Sequence, residues 1–332
     1  MQEFEQKILE QYDIEVNSTR KVRGAVLCET NKGVFLLKEV TTSEKRIPAL
    51  CELYTWLYEQ GEHQIDYMIA NRNGEYISSL DNGDRYMLKK WYQGRECDVR
   101  QEQDVVRAAA KLAVLHKDME KLAVKIRPGA DVQGKNPVEE VRRYNRELKK
   151  IRSFIRSRPV KNDFEILFLE NFEKMCRTAD DILARMETSG CRKLFEESVS
   201  KGSVVHGDYN YHNLIMLRDD IAVTDFEHMH TDIQIKDFCY FLRKAMEKNQ
   251  WKQKTGQKIL EAYEEVRPLS EREKEFAALS LAYPGKFKKI AGSYYRSNKA
   301  HLSEKNVEKL QICIRQTEEK YEFLSRIFPL NL

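Results

Sequence analysis

The run VVHGDYNYHNLIMLRDDIAVTDFEHMHTDIQIKDF, Val204 to Phe238, decides how the rest of the chain is read. His206-Gly207-Asp208 is followed by Asn213 five residues after the aspartate and by Asp225 twelve residues further on. The apolar runs Leu214 to Leu217 and Ile221 to Thr224 flank the polar turn Arg218-Asp219-Asp220, which predicts a hairpin. Asn213 then ends a loop entering that hairpin, and Asp225 leaves it. A lone His-x-Asp is ordinary surface chemistry or a local hydrogen bond. The whole spaced set is hard to obtain by accident.

Phosphoryl transfer needs such a set. A carboxylate orients the acceptor hydroxyl and takes its proton. An amide oxygen and a second carboxylate hold the magnesium that bridges the nucleotide phosphates. Two protein ligands are enough, because phosphates and water complete the octahedron.

Outward from this stretch, the first ninety residues hold the strand candidates. Val22 to Glu29 and Val34 to Val40 flank the turn Thr30-Asn31-Lys32-Gly33. A helix is predicted from Ser43 to Tyr58, with Ser43 as N-cap and Leu50, Leu53, Tyr54 and Leu57 as its apolar stripe. Further strands are predicted at Tyr67 to Asn71, Glu75 to Ser79 and Arg85 to Lys90. Beyond Gly94 helical spacing takes over, at 101–120, 137–156, 163–188, 234–250, 255–265, 271–282 and 303–327. The pattern is an α+β chain of two lobes, residues 1–90 and 91–332, with a hinge at 90–94.

Composition narrows the class. Of 332 residues, 41% are hydrophobic and 33% charged, enough for a real core under a densely charged surface. The polar, acidic opening lacks the basic start and apolar run of a signal peptide, and no stretch reaches a membrane span. A cytoplasmic protein without a membrane partner is expected. The seven cysteines are scattered, form no C-x-x-C pair, and read as reduced, mostly buried thiols. A net charge of +4, from 57 basic and 53 acidic residues, permits an anionic ligand without demanding nucleic acid. The basic residues of 138–156 are interleaved with Glu139, Glu140 and Glu147, which argues against a nucleic-acid stripe.

His-Gly-Asp with Asn213, the hairpin and Asp225-Phe226-Glu227 resembles the catalytic and metal-binding motifs of the aminoglycoside phosphotransferase and choline kinase superfamily. The resemblance implies a protein-kinase-like two-lobed fold, with a small antiparallel-sheet lobe and a larger helical lobe, using ATP and Mg2+. On it, Asp208 is the catalytic base, Asn213 and Asp225 bind magnesium, and Glu227 lies near enough to assist. His206 holds the catalytic loop, and Asp237 is a structural aspartate. Lys38 stands where the superfamily places the lysine on the α- and β-phosphates. By strand alternation alone, Lys38 would simply face solvent. Its carboxylate partner is expected from the next helix, Glu52 first and Glu44 as the alternative. Adenine is expected to bond backbone groups near Lys90 and Tyr92, although Trp91 and Tyr92 also suit packing.

One departure stands out. No G-x-G-x-x-G precedes Lys38; the corresponding turn reads Asn17-Ser18-Thr19-Arg20-Lys21, with only Gly24 nearby. Within the superfamily, Met87-Leu88-Lys89-Lys90-Trp91, Gly94-Arg95-Glu96-Cys97, Leu112 to His116, Asp232 to Phe238 and Tyr283 to Phe287 are similar to CotS-type spore-coat proteins. That likeness runs from about residue 20 to 325 and implies a place in the spore coat, among other coat proteins. Two functions follow from the sequence: a kinase acting on a hydroxyl of a small molecule, or a coat protein that keeps the fold as a binding module. Phe287 to Arg296 reads as either one wall of an acceptor pocket or a helix with a solvated basic face.

Overall fold

The computed structural model describes residues 2–22, 24–120, 122, 132–296 and 304–328. A six-stranded antiparallel sheet comes first, built from β1 Val16–Val22, β2 Ala25–Thr30, β3 Gly33–Glu39, β4 Met68–Ile69, β5 Ser78–Ser79 and β6 Arg85–Lys90. Its order is β1-β2-β3-β6-β4, with β5 also on β6. The helix α1 Glu3–Leu9 leads into Tyr12, and Ile8, Leu9 and Tyr12 bury one sheet face with Cys28, Phe35, Leu37 and Leu88. On the other face lies α2 Ile47–Glu59, whose Leu50, Leu53 and Leu57 join the main core.

Two early elements differ from the reading of the sequence. The first strand is Val16–Val22, so Asn17 to Lys21 is not a loop. Val22 pairs with Ala25 and Gly24 takes φ +67°, so the hairpin turns between those two residues. The strand VNSTRKV has no buried residue, which is why its alternation carries no signal. The second helix begins at Ile47 rather than Ser43. A 3-10 turn, Glu44–Arg46, precedes it, and Pro48 sits in its first turn, where the missing N–H costs nothing.

The remainder is mainly helical. After β7 Arg95–Glu96 come α3 Glu102–Glu120, α4 Pro137–Ser157, α5 Asp163–Thr188 and α6 Cys191–Lys201. The short strands β8 Val204–Val205, β9 Leu214–Met216, β10 Ile221–Val223 and β11 His230–Thr231 carry the motif of Asp208 and Asp225. Then follow α7 Ile235–Lys248, α8 Gln253–Glu264, α9 Glu271–Ala282, α10 Gly285–Arg296 and α11 Glu304–Ile327. The hairpin β9–β10 forms as expected and extends with β7 into a small sheet. The sheet-rich part is fastened to it where the Val223 N–H donates to the Gln64 carbonyl at 2.9 Å. All seven cysteines are free, and six are buried. No helix among the described residues is long and apolar enough to cross a membrane.

Candidate active site

The loop after β8 is held from behind. Asp237, in the first turn of α7, accepts the N–H of His206 at 2.6 Å and of Gly207 at 3.0 Å. Its other neighbour is His116 of α3, at 3.3 Å, which also meets the Tyr263 hydroxyl at 2.7 Å. Burial opposes its charge, but these bonds outweigh burial and keep the Asp237 carboxyl below its ordinary range. His206 is fully buried: its Nε2 donates to the Thr224 carbonyl at 3.0 Å, leaving Nδ1 to accept the Asp208 N–H at 3.2 Å. Gly207 takes φ +82°, and a Cβ there would lie 2.2 Å from the His228 carbonyl oxygen. Only glycine fits.

Asp208 therefore projects from a fixed backbone and stays half-buried. The Asn213 amide group donates to the Asp208 carboxylate at 3.0 Å and to its carbonyl at 2.9 Å, which commits the nitrogen and turns the Asn213 oxygen outward. Asp225 has φ +71°, a left-handed conformation that a non-glycine residue adopts only when its surroundings impose it. One restraint is the Asp225 N–H bond to the Asp66 carboxylate, at 2.8 Å.

Around Asp225 lies a network of five charged side chains. Lys38 donates to Asp225 at 2.5 Å and to Glu227 at 2.9 Å. Lys89, only 1% exposed, bridges Asp66 at 2.5 Å and Glu227 at 2.6 Å. Burial works against the charge on Lys89, yet Asp66 and Glu227 hold it protonated, well above the usual lysine range. Burial likewise opposes Glu227, and the two lysines hold it well below the usual carboxylate range. Burial and the neighbouring Glu227 raise Asp225 to about 7, with Lys38 offsetting part of the rise. Sequence reasoning missed Asp66 and Lys89. The signal was there, since a lysine inside the strand MLKK with apolar neighbours has to find a carboxylate once buried.

The donor set fits magnesium. Two lysines face three carboxylates, Asp66, Asp225 and Glu227, and a divalent cation offsets that excess of negative charge. The hard oxygens of Asn213 and Asp225 are the ligands it prefers. Among the described residues no three His, Cys, Asp or Glu side chains form a ready metal cage. Magnesium bound mainly by phosphates and water needs none.

One expectation is corrected. Lys38 takes its carboxylates from Asp225 and Glu227, not from Glu52 or Glu44. Glu52 sits half-buried on α2 outside this network, and Glu44 pairs instead with Arg85. The reason is geometric: the hairpin already presents two carboxylates to Lys38. Of the backbone groups near Lys90 and Tyr92 expected at adenine, the Lys90 N–H donates to the Tyr67 carbonyl at 2.9 Å, while the Lys90 ammonium lies 5.3 Å from the Phe35 ring centre. The Trp91 N–H donates to Val34 at 3.0 Å. The Tyr92 side chain packs, with its hydroxyl 2.7 and 2.8 Å from the carbonyls of His63 and Ile65.

Beside Gly207 and Glu227 opens a groove of about 810 Å3, lined among others by Arg46, His228, Lys236, Tyr144 and Tyr240. Burial, and after it the nearby Asp208 charge, push the Tyr240 phenol up to about 12.

Solved structures define the class of fold. An aminoglycoside phosphotransferase from Alicyclobacillus acidocaldarius matches 97% of this chain and 94% of its own, with TM-score 0.85 and 17% identity. A spectinomycin phosphotransferase in complex with ADP and spectinomycin covers 96% of each chain at TM-score 0.66 and 12% identity. A microcompartment-associated aminopropanol kinase covers 98% of each at TM-score 0.63 and 14% identity. The fold is thus that of the aminoglycoside phosphotransferase-like kinases. Within it, residues 5–327 match the family described as "Spore coat putative kinase YutH", and the chain belongs to that family. It is also 26% identical over 166 residues to spore coat protein S of Bacillus subtilis (strain 168). That match spans about half of each protein, 49% of this chain and 47% of the relative.

Proposed function

We propose that this chain is an ATP- and magnesium-dependent phosphotransferase that acts on a hydroxyl of a small molecule and is associated with the spore coat. One observation carries the reading. Lys38 from the sheet meets Asp225 from the hairpin at 2.5 Å, beside the Asn213–Asp208 bond of 3.0 Å, so residues far apart in sequence share one cleft. Asp208 orients the acceptor hydroxyl and receives its proton as the oxygen attacks the terminal phosphorus, whose bond to the bridging oxygen breaks so that ADP leaves. Asn213 holds that carboxylate in place. Lys38 leaves Asp225 for the nucleotide phosphates, and Lys89 stays behind to hold Glu227. Magnesium, held by Asn213 and Asp225 when bound, supplies charge neutralisation between the phosphates. The phosphotransferase and kinase structures of the same fold support this reading, and the spore-coat family supports the location and other coat proteins as partners.

The test is transfer to an acceptor panel by wild type and Asp208→Asn. Loss of a general base costs about 10²–10⁴-fold in rate. Turnover is expected to fall in that range while nucleotide binding survives. Unchanged turnover in the variant would remove Asp208 from the role.

A second reading is a coat protein that keeps the fold as a binding module. The tight hairpin at Gly24, in place of a glycine-rich loop, favours it, as does the engagement of Lys38 by two carboxylates. This form binds no nucleotide at millimolar concentration.

A further inference from the structure

Next to Asp208, α7 carries a cationic face. Tyr240, Arg243 and Lys244 are spaced i, i+3 and i+4, so they share one side of the helix. The Arg243 guanidinium and the Lys244 ammonium each lie 5.4 Å from the Tyr240 ring centre, and Tyr240 lines the groove beside Gly207, the residue before Asp208. Glu247 answers Arg243 at 2.8 Å, but it also takes Lys286 at 3.1 Å. No carboxylate pairs with Lys244, or with Lys289 of α10, among the described residues. A half-buried lysine without a carboxylate, beside two further cations, is costly in an otherwise charge-matched protein. Such an arrangement is stabilised by an anion.

We infer that Lys244, with Arg243 and Lys289, binds a phosphate or carboxylate group carried by the acceptor alcohol, at a point about 6 Å along α7 from Tyr240 and so away from the groove end beside Asp208. The separation follows from the four-residue step from Tyr240 to Lys244 at helical rise. It selects a polyol or sugar bearing an anionic group several bonds from the reacting hydroxyl, and disfavours polycationic acceptors. Burial first, then the charges of Arg243 and Lys289, drives the Lys244 ammonium below its ordinary range, with Glu247 and Asp208 offsetting only part of the fall. The inference rests on the kinase reading for the position of the hydroxyl but not for the anion site itself.

The experiment measures thermal shifts of the full chain with inorganic phosphate, with ribose against ribose 5-phosphate, and with sorbitol against sorbitol 6-phosphate. Each probe is run with and without a non-hydrolysable ATP analogue and magnesium. Phosphate and the phosphorylated alcohols are expected to stabilise wild type, and the neutral alcohols are not. Lys244→Gln should weaken binding of the phosphorylated probes on the order of tenfold, as loss of one charge-assisted bond does. Lys244→Arg should keep it, and nucleotide affinity should be the same in all three proteins. Equal response to neutral and phosphorylated alcohols, or no response to phosphate, overturns the inference while nucleotide binding leaves the kinase reading intact. A fall in nucleotide affinity in Lys244→Gln also overturns it, by assigning the cluster to the triphosphate. Phosphate binding without any nucleotide shift overturns the kinase reading and leaves the anion site standing.

Discussion

Lys89 and Asp66 form a buried ion pair, 2.5 Å between Nζ and Oδ2, and the same Asp66 oxygen accepts the N–H of Asp225 at 2.8 Å. The left-handed turn at Asp225 therefore hangs on a carboxylate whose own charge is neutralised by a lysine from the central sheet. Removing the lysine leaves Asp66 uncompensated in a dry site and Glu227 with Lys38 alone. Breaking one partner of a buried pair costs about 3–5 kcal/mol. Lys89→Met is expected to lose stability on that scale in urea unfolding and to lose nucleotide binding. Stability unchanged within error would contradict this role.

Glu52 is expected to be silent. Glu52→Ala should leave stability within about 0.5 kcal/mol and nucleotide affinity unaltered, as for an ordinary surface substitution. Glu227→Gln, which strips both lysines of a carboxylate, should lower both. Calorimetry of the two variants side by side checks this; a nucleotide defect confined to Glu52→Ala would restore the partner first expected for Lys38.

Gly207→Ala places a methyl group 2.2 Å from the His228 carbonyl oxygen at a φ of +82°. Strain of this kind costs about 1–3 kcal/mol. We expect a lower melting temperature and a larger loss of transfer, since relief of the clash moves the backbone that aims Asp208. Turnover equal to wild type would show that the loop tolerates movement.

His116 and His206 are both fully buried, and burial lowers the pKa of each below 6.5. The unfolded chain thus takes up protons near pH 6.5 that the folded chain refuses. Stability is fully present above that pH and falls as the pH drops through it, by at most about 1.4 kcal/mol per pH unit for each histidine. Asp225, raised to about 7, and His230, also raised, take up protons in the folded chain over the same range and oppose this loss. The histidine contribution is therefore read by difference: the urea midpoint of wild type relative to His206→Gln should fall between pH 7 and 5.5. Identical slopes would place the proton uptake elsewhere.

The motif from His206 to Asp225 was legible because its chemistry is local: loop, hairpin and spacing lie within one short stretch, and the hairpin formed where the apolar runs placed it. The late helices were legible from their apolar stripes. The first strand was not, because Val16 to Val22 has no buried face to impose alternation. Nor was α6, where only Cys191 and Phe195 are buried. The partners of Lys38 were misjudged for a different reason. A glutamate on the next helix is near in sequence, whereas Asp225 and Glu227 come near only once the hairpin packs on the sheet, with Gln64 and Asp66 as the seam. Lys89 and Lys90 read as one basic pair at the end of a strand. Alternation sends the first into the cleft and the second toward Phe35.

The central claim is that the cleft around Lys38, Asn213 and Asp225 binds a magnesium nucleotide. A thermal-shift titration with ATP, with and without magnesium, on wild type beside Asp225→Ala tests it most directly. The account predicts a magnesium-dependent rise in melting temperature for wild type that disappears in the variant. No shift in wild type at millimolar ATP and magnesium, or a shift of equal size in Asp225→Ala, would contradict it.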